Sequence, residues 1–445
     1  MVPVVGGLER AGLRAGAAAS KARLFARARA ALGQPAREPR AAFFVPGRIE
    51  VLGKHTDYAG GRSLLCAAEQ GFCLVAAPRR DRRVTVVNAE TGERADLALD
   101  PDLQPVLGHW SNYPATVLRR VARNFPGAAT GARLAFASDL PPASGMSSSS
   151  AFMIAVFLAM ASLNDLDATR VYREAIGSPA DLAGYLGTVE NGQTFGPLIG
   201  DKGVGTFGGS EDHTAILCCR AATLSQYRFA PVQFERDVPM PPGHVFAVAF
   251  SGLLAEKTGA ALATYNRASH AAARVLQIWR EASGRQASTL ESAVADDPGA
   301  AEAIRAAVAA SGDTAFGAGL LRTRFDQFVL ESRTIVPGAA DALRDGDLGR
   351  FGALVDRSQQ AVEDWLGNQV PETVSLAREA RRLGAAAASA FGAGFGGSVW
   401  ALVAEAQAAD FLREWQLAYE RAHPQAAVRA VFFETAPGPA AFRLA

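Results

Sequence analysis

Hydrophobic and polar positions divide the chain into a strand-rich first half and a helix-rich second half. Between 42 and 88 the apolar residues come as short runs, AAFFV, RIEVLG, FCLVAAP and RRVTVVN, β-branched, partly alternating and cut by Gly and Pro. Such runs predict strands of a mixed sheet. Residues 110–125 read as a helix, LAFASDL (134–140) as another strand, and PPASGMSSSSAFMIAVFLAMASL as a loop opening into a strongly apolar helix. A further helix is expected over 181–195, followed by the Gly-rich loop GDKGVGTFGGSEDHTAIL. The Pro-rich piece FERDVPMPPGHV (234–245) is the best candidate for a domain boundary. Beyond it HVFAVAFSG predicts a strand, Ala-rich helices fill roughly 255–385, and FGAGFGGSVWALVAE predicts a Gly-rich turn that enters a strand. The pattern is that of an α+β protein of two lobes. Its expected parts are a helical arm over 1–38, a first domain over 39–233 and a second over 243–445.

Composition narrows the function classes. A chain of 445 residues with 49% hydrophobic content can build full-sized cores. Lys and Arg number 45 against 44 Asp and Glu, a net charge of +1. That balance offers no field for nucleic acid or an anionic membrane, so anion recognition has to be local. Cys66, Cys73, Cys218 and Cys219 form no CxxC pair and accompany no His-x3-His or HExxH spacing, which speaks for reduced cytoplasmic thiols over metal ligation or disulfides. No run reaches 18 uninterrupted apolar residues, so no transmembrane helix is expected. The Ala/Arg-rich first 38 residues read as an amphipathic helix on the domain surface rather than a transit peptide, because Glu9 interrupts the basic run.

Three motifs carry chemistry. Pro46 to Gly61, PGRIEVLGKHTDYAGG, places Arg48, Lys54, His55 and Asp57 at the end of an apolar strand. Charged residues there are either solvated turn residues or ligand contacts; so many together favour the second. In Pro141 to Ala151 the hydroxyls of Ser147, Ser148, Ser149 and Ser150 stand where a helix begins, behind Gly145. Free N–H groups and the positive end of the helix dipole suit a phosphate there, and serine oxygens suit Mg²⁺. An ordinary N-cap needs only one such residue. Gly392 to Gly397 holds four glycines in six residues, more than a helix-to-strand turn requires, and reads as a second wall of the phosphate site. Gly53-Lys54-His55 fails as a P-loop, because His55 replaces Ser or Thr and Gly47 is misplaced. Gly392, Gly394 and Gly397 satisfy G-x-G-x-x-G, but an Ala-rich helix before and a strand after reverse the order that a dinucleotide site requires.

Together PGRIEVLGKHTDYAGG, LPPASGMSSSSA and FGAGFGGS resemble the three signature motifs of the GHMP kinases, and the H-T-D-Y-x-G-G core resembles their galactokinase branch. Trp110-Ser-Asn-Tyr113, GGSEDH (208–213), Tyr265 with Arg267, and NQVPETV (368–374) extend the likeness over about residues 42 to 405. The resemblance implies a two-lobed α+β fold, with an N-terminal lobe like ribosomal protein S5, a ferredoxin-like C-terminal lobe and the active site in the cleft. It implies an ATP- and Mg²⁺-dependent enzyme that phosphorylates the anomeric hydroxyl of galactose or a similar sugar. Asp212 matches the family's base and Arg48 its arginine, a coherent pair since a guanidinium favours the ionised carboxylate. His55, Asp57, Gly209 and Tyr265 match sugar contacts, and Trp110 and Tyr113 the adenine pocket. Pro141, Gly145, Met146, Ser147 and Ser148 match the phosphate cradle, and Ser149 the Mg²⁺ ligand. The expected partners are a small sugar and ATP, without nucleic acid or membrane, for a cytoplasmic monomer or weak oligomer.

Three departures stand out. Lys54 replaces a glutamate of the family motif, and Glu211 and His213 replace Met and Gln. A lysine donates hydrogen bonds and accepts none, so Lys54 in the pocket would suit a uronic acid such as galacturonate. Turned aside to pair with Glu211 or another carboxylate, it would leave galactose acceptable. A non-catalytic sugar and ATP sensor is the alternative from another class; the retained serines, Arg48 and Asp212 favour the enzyme.

Overall fold

The computed structural model describes residues 2–33, 40–254, 262–295 and 297–444. The first sheet is built from β1 (Ala41–Leu52), β2 (Arg62–Pro78), β3 (Arg83–Asn88), β4 (Arg94–Ala98), β5 (Ala132–Ser138), β6 (Thr223–Arg228) and β7 (Gln233–Pro239). Strands run in the order β1-β2-β5-β3-β4, with β6 added to the far part of β2 and β7 to β6. Among the described residues only β3 and β5 are parallel, so the sheet is mixed as the strand pattern predicts.

Period-two alternation sorts the side chains of this sheet into two cores. Phe43, Val45, Leu74, Ala76, Leu134 and Phe136 face one way, and Ala42, Phe44, Cys73, Val75, Ala135 and Ala137 the other. The second face is covered by α1 (Val2–Arg10) and α2 (Ala15–Ala31), through Leu24, Phe25 and Ala28. The N-terminal arm is therefore part of the packed lobe. The first face receives α4 (Ser148–Asn164), with α3 (Asn112–Asn124), α5 (Arg170–Ala175) and α6 (Pro179–Asn191) behind it, while α7 (Glu211–Cys218) packs directly on β1 and β2. Helix α4 is apolar all round because it is buried all round.

Helices α8 (Leu262–Ser283), α9 (Leu290–Ala295), α10 (Ala300–Ala310) and α11 (Ala318–Leu330) share a core with Tyr58 and Ala59. Then follow α12 (Val336–Arg344), α13 (Leu348–Ala361) and α14 (Pro371–Arg382). A second, antiparallel sheet has the order β11-β8-β10-β9, from β8 (His244–Phe250), β9 (Ala387–Phe391), β10 (Ser398–Ala404) and β11 (Val431–Thr435). Helices α14 and α15 (Ala408–Ala422) cover one of its faces, and α16 (Pro424–Ala427) follows α15. A final strand, β12 (Phe442–Arg443), returns to pair with β1. No helix among the described residues is long and apolar enough to cross a membrane.

Two elements differ from the sequence expectation. AAFFV and RIEVL are one strand, because a bulge between Pro46 and Arg48 absorbs the Pro-Gly pair without ending β1. The segment before the Gly-rich turn is a strand, AASAF, and not a helix, so Gly392 to Gly397 connects β9 and β10 as a hairpin. Tertiary burial overrides the helix propensity of its alanines. With no helix after the glycines, the dinucleotide fingerprint still fails.

Candidate active site

The bulge in β1 sets the site. After it, the Arg48 N–H donates to the Met146 carbonyl at 3.2 Å, tying the strand to the Ser-rich loop. The Arg48 side chain, buried to 3% exposure, then spans two loops. Its Nε donates to Asp212 Oδ1 at 2.9 Å and Nη1 to the Gly145 carbonyl at 2.5 Å. Asp212 sits in the first turn of α7, where the helix dipole favours a carboxylate. Its other oxygen lies 3.4 Å from the hydroxyl of Ser150.

A polar cavity opens on this pair, lined by Arg48, Glu50, His55, Asp57, Glu190, Gly209, Glu211, Asp212, His213 and Gly392 among others. Asp57 begins a single 3-10 turn, and its Oδ2 accepts the Glu211 N–H at 3.2 Å. A methyl group on Gly209 would lie 2.4 Å from that same oxygen, so only glycine lets the loop pass Asp57. His55 adopts a left-handed backbone (φ 57°), and its Nε2 lies 3.3 Å from the Ala393 carbonyl and 3.3 Å from Asn368 Nδ2. Tyr58 links His55 to Arg324, and burial pushes its hydroxyl up to about 12.

On the other side of Gly145 lies a groove between Trp110, Tyr113, Phe136, Phe152, Leu140, Pro142 and Ser147 to Ser149. Its apolar end is an aromatic cluster, with Trp110 6.2 Å from Phe152 and Phe136 4.6 Å from Phe152, centroid to centroid. Its polar end is the start of α4. Ser147 precedes that helix in a left-handed conformation (φ 59°) and makes no side-chain capping bond; its buried Oγ has no partner among the described residues. The serines are thus not spent on capping. Gly392 closes the wall: a Cβ there would meet the Gly145 carbonyl at 2.7 Å, and φ is 83°.

The structure brings Arg48, His55, Asp57, Gly209 and Asp212 to one cavity and Trp110, Tyr113, Gly145, Ser147, Ser148 and Ser149 to the adjoining groove. Three expectations need correction. Met146 points into the core and offers only its carbonyl, while Pro142, not Pro141, lines the groove. Lys54 does not face the cavity; it is 2% exposed and its ammonium donates to the Ala390 carbonyl on β9. Burial lowers its pKa, opposed by the carboxylates of Glu50, Glu331 and Glu211. The side chain of Tyr265 lies outside the described residues.

Three carboxylates not expected as site residues also line the cavity. Glu190, on α6, accepts from Ser150 Oγ at 2.7 Å and lies 3.3 Å from His213 Nε2. Glu50, two residues beyond Arg48, is a carboxylate in a fully buried strand, which is itself the signal that could have marked it. Glu211 accepts from Ser63 Oγ at 2.6 Å; burial and the nearby Glu50 and Asp57 hold its pKa well above the usual carboxylate range.

A helix start that suits phosphate, beside a buried arginine paired with a carboxylate that reaches the cavity, is the site of a small-molecule kinase. Comparison with known proteins agrees. Residues 30–78 match the galactokinase galactose-binding signature, 112–189 the GHMP kinases N terminal domain and 339–421 the GHMP kinases C terminal model. These matches support a place among the GHMP kinases, in the galactokinase branch. It is 28% identical over 385 residues to a galactokinase of Roseiflexus sp. (strain RS-1), covering 85% of this chain and 87% of that protein. A galactokinase of Actinobacillus pleuropneumoniae serotype 3 is 26% identical over 205 residues, 46% of this chain and 48% of the relative. The fold is similar to that of Lactococcus lactis galactokinase solved with galactose, at TM-score 0.77 and 22% identity, over 95% of this chain and 99% of that one. Methanococcus jannaschii mevalonate kinase shares it at TM-score 0.54 and 13% identity, over 90% and 99%.

Proposed function

We propose that the protein transfers the γ-phosphoryl group of ATP to the anomeric hydroxyl of galactose. The observation that carries this reading is the ion pair between buried Arg48 and Asp212, which reaches the polar cavity beside the serine groove. Asp212 takes the proton of the anomeric hydroxyl, the freed oxygen attacks the γ-phosphorus, and ADP leaves. Phosphoryl transfer needs mostly positioning and charge stabilisation, which Arg48 and the N–H groups of the α4 start supply. Trp110 and Tyr113 hold the adenine; His55, Asp57 and Gly209 hold the sugar.

Serine hydroxyls and the Glu190 carboxylate are hard oxygen donors of the kind Mg²⁺ prefers, and Ser147 Oγ is buried without a partner among the described residues. Ser149 and Glu190 would hold the ion, which would neutralise charge on the ATP phosphates. The buried, unpaired thiols Cys66, Cys73 and Cys219 suit a reducing, cytoplasmic compartment.

Galacturonate loses its support. Lys54 is turned toward Ala390, and the carboxylates of Glu50, Asp57, Glu190, Glu211 and Asp212 line the cavity against the guanidinium of Arg48. The sensor reading has no feature in its favour, since base, arginine and serine loop all converge. ADP release with ATP, Mg²⁺ and a panel of hexoses and hexuronates tests the proposal. Galactose should be turned over and galacturonate not; turnover of the uronate alone would sink it.

A further inference from the structure

Glu50 is a buried carboxylate of the polar cavity for which the phosphoryl transfer has no use. Between Arg48 and Glu50 the pairing of β1 with β2 is regular, Arg48 opposite Ala67 and Glu50 opposite Leu65. Both side chains therefore leave the same face of the strand, about 7 Å apart at the backbone. Glu50 is 3% exposed. One of its oxygens, Oε2, accepts the Gly392 N–H at 3.0 Å, which fixes the carboxylate. The other, Oε1, is buried and has no hydrogen-bond partner among the described residues, although the residue lines the cavity beside Arg48, His55, Asp57 and Asp212. A buried acceptor without a donor is costly, and more so when charged. The nearby Lys54 ammonium favours the Glu50 charge, but the hydrogen bond it makes goes to the Ala390 carbonyl and not to Oε1.

We infer that Glu50 is a specificity-determining residue, whose Oε1 accepts a hydrogen bond from a hydroxyl of the bound hexose other than the one phosphorylated. The inference rests on the sugar-kinase reading. With the anomeric hydroxyl at Asp212, at the Arg48 end, a pyranose ring laid along β1 brings a second hydroxyl to Glu50. An ionised carboxylate accepts and cannot donate. The same oxygen thus pairs with a neutral hydroxyl, while burial, which raises the Glu50 pKa, makes a second carboxylate at that carbon unfavourable. A sugar without the hydroxyl leaves Oε1 unpaired again.

The test measures kcat/KM for galactose and its 2-, 3-, 4- and 6-deoxy analogues with the wild type, Glu50→Ala and Glu50→Gln. One analogue should lose about 100-fold or more with the wild type. That penalty should nearly vanish in Glu50→Ala, while the penalties of the other analogues persist. Glu50→Ala should raise KM for galactose and leave KM for ATP unchanged, and Glu50→Gln, which keeps an acceptor and the shape, should recover part of the loss. If the alanine variant does not fold, the glutamine variant decides: the same analogue's penalty should shrink while the others hold. Identical penalties in wild type and variants overturn the role of Glu50 alone. A wild type that phosphorylates no hexose overturns the sugar-kinase reading and this inference with it.

Discussion

Arg48 and Asp212, 164 positions apart in sequence, meet through Nε and Nη2 of the guanidinium on Oδ1 of the carboxylate, at 2.9 and 2.8 Å. The same guanidinium holds the Gly145 carbonyl, so one side chain fixes the base against the phosphate loop. Asp212→Asn keeps the shape and removes the proton acceptor. A general base contributes about 10²–10⁴-fold, so kcat should fall by about 10³-fold. ATP should still raise the melting temperature of the variant. Near-normal turnover would remove Asp212 from its role.

Lys54 belongs to the interior. Its backbone N–H donates to Glu331 Oε1 at 3.3 Å, and its ammonium stands under the influence of Glu50, Glu331 and Glu211. Removing one partner from a buried charge cluster costs about 3–5 kcal/mol. Lys54→Met should lose stability of that order in urea unfolding. Lys54→Glu, which adds a carboxylate to the cluster, should be worse. Neither should convert preference between galactose and galacturonate; a switch in the ratio of kcat/KM values would return Lys54 to the pocket.

Gly209 is a probe of the sugar side. An added Cβ would sit 2.4 Å from Asp57 Oδ2 and 2.9 Å from the Tyr58 nitrogen. Gly209→Ala should therefore displace Asp57 and raise KM for the sugar by tenfold or more, on the scale of a lost charged hydrogen bond. KM for ATP should stay within about twofold if the two binding regions are separate. Parallel changes in both constants would contradict the division.

Glu211 makes stability depend on pH. Its pKa in the folded protein is raised far above the ordinary 4.5, so its contribution to stability is fully present below that value and is lost as pH rises through the folded one. Glu211→Gln removes the titration while keeping an acceptor for Ser63. The variant should gain on the wild type in urea midpoint as pH rises above the ordinary carboxylate range, with little difference below it. A gap that does not change with pH would show that folding leaves the titration of Glu211 unshifted.

Sequence pattern reveals the parts of this site that are local. The serine run, the glycine turn and H-T-D-Y are compositionally unusual, and each falls where the structure needs it. Pro46-Gly47 reads as a strand end, since a bulge and a turn begin with the same residues. AASAF reads as helix because alanine's propensity is visible in the sequence and its burial between strands is not. The direction of Lys54 depends on Ala390 and Glu331, about 300 residues away, so no local signal could reveal it. Glu190 is one glutamate among many on an ordinary helix until Ser150 is seen to hold it.

The central claim concerns where the phosphate goes. Phosphorus NMR of the product formed from ATP, Mg²⁺ and galactose reads this directly. The expected product is galactose 1-phosphate, its phosphorus coupled to the anomeric proton and its reducing end lost. A phosphate on the 6-hydroxyl, or ADP with free phosphate and unchanged sugar, would contradict the account.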